Sequence, residues 1–166
     1  EECYPVIRST EINYDDGRLN LETVARRKIP QKNHDKYLLN SGDILIVASS
    51  GSERLIGRIA SFQKPNDEKY FFSNFLLRLR TKNMESQYMH YFLQSYRYEN
   101  FLKQMQQTTT GLRNFPKNDF LQLVFPLPPL PEQKQIASIL SNVDDTLQKT
   151  NQIIEQTQRL KKGMMQ

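Results

Sequence analysis

The side chains best suited to chemistry in this sequence are cations, hydroxyls and amides, grouped in three places. Between Gly17 and His34 stand Arg18, Arg26, Arg27, Lys28 and Lys32 against Glu22 alone. Such an excess draws phosphates; a solvated basic surface accounts for the same letters. Ser49-Ser50-Gly51-Ser52 follows the apolar run Ile44–Ala48. Small hydroxyls beside a glycine let backbone N–H groups approach an anion closely. A plain hairpin turn would read the same way, and the GxxxxGK[ST] phosphate loop is missing. Thr108-Thr109-Thr110-Gly111-Leu112-Arg113-Asn114 is a polar loop. Its Arg113 and Asn114 suit guanine and adenine edges respectively.

Catalytic sets are not found. The paired carboxylates Asp15-Asp16 and Asp144-Asp145 fall on a turn and on an expected exposed helix face. Two histidines, His34 and His90, stand far apart, and the one cysteine, Cys3, rules out an internal disulfide and a cysteine-built zinc site. We find no methyltransferase tetrad, no glycine-rich cofactor loop and no nuclease carboxylate–lysine pattern. No cofactor, no metal and no enzymatic activity of its own are expected. A lone cysteine favours a reducing, cytoplasmic setting. The opening EECYPVIRST has no apolar core, so a signal peptide is not expected. No apolar stretch approaches the about 20 residues that cross a bilayer.

The elements that must position these groups fall into two parts. The chain has 166 residues, 37% hydrophobic and 25% charged, with a net charge of +5. Pro126-Leu127-Pro128-Pro129-Leu130-Pro131 cannot sit in a helix interior or a central strand. It divides a mixed, aromatic-rich region, residues 1–130, from a Gln-, Lys- and Leu-rich tail, residues 131–166. The first region reads as α/β (α+β). Strands are expected at Tyr4–Arg8, Ile44–Ala48, Leu55–Ala60, Tyr70–Phe72, Phe75–Arg80 and Leu123–Phe125. In the fifth of these, Phe75, Leu77 and Leu79 would share one face. A helix is expected over Ser86–Gln106 with Tyr88, Tyr91, Phe92, Ser95, Leu102 and Met105 buried, and a helical turn over Phe115–Leu121.

The tail reads as one long helix, roughly 50 Å for about 34 residues. Ile136, Leu140, Val143, Leu147 and Ile154 form a heptad-like seam. So long a helix should project from the domain and pair with another helix as a coiled coil.

The run Asn114…Phe120-Leu121…Phe125-Pro126-Leu127-Pro128-Pro129-Leu130-Pro131-Glu132-Gln133-Lys134-Gln135-Ile136-Ala137 closely resembles the specificity subunits of type I restriction–modification systems. Tyr4-Pro5-Val6-Ile7-Arg8, Gly42-Asp43-Ile44-Leu45 and Thr110-Gly111-Leu112-Arg113 occur in the order such subunits show. The resemblance implies a non-catalytic, DNA-reading subunit: a target recognition domain at 1–130, then a spacer and dimerisation helix at 131–166. A complete member has two such halves; this chain matches one. The tryptophan-bearing lead-in expected before the first strand is missing from it. Implied partners are double-stranded DNA, methyltransferase (modification) subunits, a restriction subunit, and a second copy or second half paired through the helix. Candidate DNA contacts are Arg8, Arg26, Arg27, Lys28, Ser50, Ser52, Arg54, Thr108, Thr110 and Arg113. Ile136, Leu140, Val143, Leu147 and Ile154 are the expected pairing residues. A specificity subunit of another restriction–methylation type, or a coiled-coil adaptor that binds no DNA, remain alternatives.

Overall fold

The computed structural model describes residues 2–13, 17–107 and 114–164. Its centre is the strand β3, Ile44–Val47, in which all four side chains are buried. Alternate residues of a strand point to opposite faces, and here both faces are covered. Leu45 and Val47 enter a cluster with Ile7, Phe62, Phe72 and Leu76. Ile44 and Ile46 enter a second cluster with Met89, Leu93, Tyr98 and Phe101.

β3 pairs antiparallel with β4, Ile59–Ser61, and with β6, Leu76–Leu79. A second small sheet is built on β1, Cys3–Ile7, paired antiparallel with β2, Arg26–Lys28, and parallel with β5, Phe71–Phe72. The first cluster draws on both sheets and the second lies between the β3 sheet and the helices. The fold is mixed α/β, as the patterning predicts. The helices are α1, His34–Tyr37, α2, Ser86–Phe92, α3, Tyr96–Gln107, α4, Lys117–Phe120, and α5, Leu130–Met164.

Four expectations are corrected. The helix over Ser86–Gln106 is broken at Leu93–Ser95. In one unbroken helix Tyr98 would point roughly 140° away from Leu93. The break returns both to the same cluster. The strand over Leu55–Ala60 starts only at Ile59. Before it, Gly57 holds φ +81 and gives its N–H to the Val47 carbonyl. That backbone is left-handed, the region that favours glycine. Leu123–Phe125 joins no sheet; Leu123 and Phe125 instead pack on the second cluster. Phe75 precedes β6 on a turn and is exposed, rather than sharing the face of Leu77 and Leu79.

The start of β3 is fixed by a polar clamp. The Asp43 carboxylate is buried and accepts the Asn40 N–H at 2.7 Å, then both Nε and Nη2 of Arg80 at 2.6 and 2.7 Å. Charge-assisted, two-pronged bonds of this kind are strong and directional.

The first turns of α5 dock on the domain through one face: Gln133, Ala137, Ser141, Asp144 and Gln148. The Gln133 amide accepts the Glu85 N–H at 2.9 Å and donates to the Pro128 carbonyl at 2.7 Å. The Tyr88 hydroxyl donates to the Pro126 carbonyl, 2.8 Å, and the Tyr91 hydroxyl to Asp144, 2.9 Å. Arg18 bonds Gln148 and lies 3.6 Å from Asp145. Asp144 is thus a docking residue, not part of a free face. Beside it His90 is buried, and its Nδ1 has no hydrogen-bond partner.

Two outcomes test this packing. Asp43→Ala should lower unfolding free energy by about 2–3 kcal/mol, the worth of hydrogen bonds to a charged group. Asp43→Asn, which keeps an acceptor for Asn40, should cost less; urea melts of the three proteins decide it. Burial lowers the His90 pKa, although Asp144 pulls it upward. The unfolded chain therefore binds the extra proton first. Stability should be complete above about pH 6.5, the ordinary histidine value, and decline as pH falls below it. Urea midpoints followed from pH 7.5 to 5.5 should fall more steeply for the native chain than for His90→Gln.

Candidate nucleic-acid interface

The strand pairing gathers several loops at one rim. β1 and β5 run parallel and finish together, with the Ser73 N–H donating to the Ile7 carbonyl at 2.8 Å. From there the Ser73–Phe75 turn carries the chain into β6. β6 runs antiparallel to β3, so its start lies beside the end of β3. The Phe75 carbonyl accepts the N–H groups of Ala48 and Ser49 at 2.8 and 3.2 Å. On the far side of the same strand end, Asn114 forms a bridge with Ser49, and the Phe115 N–H donates to the Ala48 carbonyl at 2.7 Å. Arg8, Ser49–Arg54, Ser73–Phe75 and Asn114 therefore belong to one edge of the fold.

Three sequence candidates reach this edge as hydroxyls or cations of the β3–β4 loop. Ser50 is half-buried, and its hydroxyl accepts the Ser52 N–H at 3.1 Å, which shapes the loop. Ser52 and Arg54 are exposed. Arg54 also gives its carbonyl to Arg58 Nε at 3.3 Å. Arg58, exposed, is a second cation of this region that the sequence candidates omit.

Arg8 stands at the end of β1 and is tied down. Its Nη2 meets Glu11 Oε1 at 2.7 Å, and its backbone N–H donates to Glu11 Oε2 at 2.7 Å. Burial pushes the Glu11 carboxyl up, but the bonds from Arg8 and Thr10 outweigh it and hold the pKa below the ordinary value. Glu11 is therefore a fixed anion that partly cancels Arg8.

Arg26, Arg27 and Lys28 form the whole of β2, and all three are exposed. They lie on an edge strand that starts level with Pro5 and runs away from the rim to Cys3, so Arg26 is the nearest of the three to the rim and Lys28 the farthest. Arg26 is held by the Cys3 carbonyl and by an ion pair with Glu68. Arg27 faces the opposite side of the strand from its two neighbours. Thr108, Thr110 and Arg113 lie outside the described residues. Asn114, whose amide suits an adenine edge, is on the rim, and so is Phe75, which is not among the candidates. Only the strand register could have placed Phe75 there.

The helix candidates run beside the docking face, and one of them, Leu147, is on the wall of the cavity between α5 and the domain. On a helix of 3.6 residues per turn, the seam of Ile136, Leu140, Val143, Leu147 and Ile154 is centred roughly 70° around from Gln133, Ala137 and Asp144. Leu140, Val143, Leu147 and Ile154 are exposed and Ile136 is half-buried. Between α5 and the domain opens a cavity of about 1120 Å³, whose walls include Arg54, Arg58, Lys103, Gln148 and Glu155. No cluster of three or more His, Cys, Asp or Glu suited to a metal lies among the described residues. No helix among them is long and apolar enough to cross a membrane.

Comparison with known proteins adds the following. Residues 1–159 match the family model described as the type I restriction modification DNA specificity domain. A putative type I restriction enzyme specificity subunit of Methanocaldococcus jannaschii is 33% identical over 98% of this chain and 38% of its own length. A second type I specificity subunit of that organism is 36% identical over 78% of this chain and 28% of its own length. Among solved structures, the HsdS subunit from Thermoanaerobacter tengcongensis superposes with a TM-score of 0.66 at 18% identity, over 92% of this chain and 38% of that one. A chain from a type I R-M complex superposes with a TM-score of 0.69 at 17% identity, over 95% of this chain and 40% of that one. The chain spans well under half the length of these relatives.

Proposed function

Because the chain belongs to the type I restriction–modification DNA specificity domain family, we propose that it is a non-catalytic DNA reader that recognises one half of a split duplex target. The observation that carries this reading is the rim, where Arg8, Ser49–Arg54, Ser73–Phe75 and Asn114 converge, with the basic edge strand β2 leading away from it along β1. Hydroxyls, amides and fixed N–H groups there suit base edges and phosphates. Residues 1–130 are the recognition domain. Arg27 and Lys28 on β2 supply sequence-independent phosphate contact, with Arg26 and Arg8 oriented by their carboxylates.

Residues 131–166 act as spacer and pairing helix. The exposed seam is the surface that a second helix would cover, from a second copy of this chain or from a second half. It sets the gap between half-sites, and it leaves the remaining faces of α5 for methyltransferase subunits. A restriction subunit would join through that assembly. An adaptor that binds no DNA would leave the basic edge strand without a task.

Three outcomes test the reading. Replacing Arg27 and Lys28 by Ala should weaken duplex binding uniformly across sequences. It should also reduce the slope of log K against log salt by about 2, near 0.9 for each phosphate left unneutralised. Leu140→Glu with Leu147→Glu should give a folded monomer by sedimentation; an unchanged dimer would show the seam to be misassigned. Co-expression with its methyltransferase subunit, followed by mapping of methylated host DNA, should return a split, symmetric motif. Absence of methylation with folded protein present would count against a self-sufficient half.

A further inference from the structure

We propose that Phe75 reads thymine, through apolar contact between its exposed ring and the 5-methyl group in the major groove. The inference rests on the DNA-reading function above. All nine phenylalanines of the chain lie among the described residues, and eight are buried or half-buried. Phe75 alone is exposed, at 54%.

Its position is fixed from both sides. The Phe75 carbonyl holds the N–H groups of Ala48 and Ser49, and the next residue, Leu76, is buried at 2%. The Leu76 N–H closes the turn on the Ser73 carbonyl at 3.0 Å. The ring is thus carried on a backbone that is already ordered. A contact made from such a mount loses little entropy on binding.

The surroundings narrow the partner. Ser49, Ser73, Asn74 and Asn114 neighbour Phe75 in the turn and bridge just described, all of them small or hydrogen-bonding. A single ring among such groups is far below the area of a protein–protein interface. It suits a surface that is polar with isolated apolar points. The major groove is such a surface: its bases offer donors and acceptors, and its apolar feature is the thymine methyl. A rim of several loops also needs that groove's width, about 12 Å against about 6 Å for the minor groove.

The full chain is used to select from a pool of random duplexes, and binding is then measured with thymine replaced by uracil at each enriched position. At one position the native chain should lose about fourfold, the effect of one buried methyl. Phe75→Ala should lose about as much on the thymine duplex and nothing further on the uracil duplex. Its melting temperature should match that of the native chain, since the ring supports no core. Equal uracil penalties in both proteins would overturn the assignment, as would a selected motif without thymine. A rise in 2-aminopurine fluorescence at the contacted step, dependent on Phe75, would overturn it in favour of a ring inserted between bases. A native chain that selects no motif at any salt concentration would instead overturn the DNA-reading function itself.

Discussion

The structure depends on the burial of Ile44–Val47 on both faces. A strand with apolar side chains pointing both ways needs a layer on each side and a pairing partner on each edge. β4 and β6 supply the edges, the β1 sheet one layer, and α2 and α3 the other. Each such side chain contributes about 1.5–3 kcal/mol on burial, which fixes the register: a slip of one residue would exchange the two clusters. The clamp of Asp43 by Arg80 sets where the strand begins, and the rim forms where it ends. Ser49, Phe75 and Asn114 therefore inherit their positions from the most tightly specified part of the molecule.

α5 meets two demands with two faces. Its docking face is small and polar, from Gln133 to Gln148, and its apolar seam runs beside that face, with Leu147 on the wall of the intervening cavity. Net hydrogen-bond contributions are about 1 kcal/mol each, so this junction is not strong for its length. It is directional, however. The bonds of Gln133, Tyr91 with Asp144, and Arg18 with Gln148 fix the rotation of the helix about its own axis. An apolar docking face would permit sliding and compete with the seam for the same partner. The polar face thus sets orientation and, under the proposed function, leaves the seam for association.

The mixed fold, the helix after the proline run, its seam and the central strand are legible in the sequence because each rests on period or on proline stereochemistry. The break at Leu93–Ser95 is not, because it answers to the position of a core shared by Met89 and Tyr98 that no local spacing reports. Gly57 hides in an apparent strand for the same reason: its left-handed backbone is set by Val47 across the sheet. At the site, Arg26, Arg27 and Lys28 are visible as a charge run, but that they form an edge strand is not. Phe75 is misread because alternation places it inside, whereas the turn from Ser73 moves it out. The carboxylate that binds Arg26 is also invisible as a partner, since Glu68 is far from it in sequence.

The carboxylates that hold Arg8 and Arg26 bear on how such a reader should be tuned. Arg8 with Glu11 and Arg26 with Glu68 are cations whose charge is partly offset where they stand. Non-specific affinity comes from unneutralised charge, so pairing lowers it while leaving the guanidinium groups oriented. A chain that reads half of a split site gains from this arrangement. Tight non-specific binding by one half would hold it on random duplex before the second half engaged. Modest affinity per half, multiplied by the effective concentration that a linking helix imposes, makes binding depend on both halves being correct. Under the proposed function, the acidic residues that hold Arg8 and Arg26 would serve specificity by weakening contact, and the length of α5 would recover the affinity they remove.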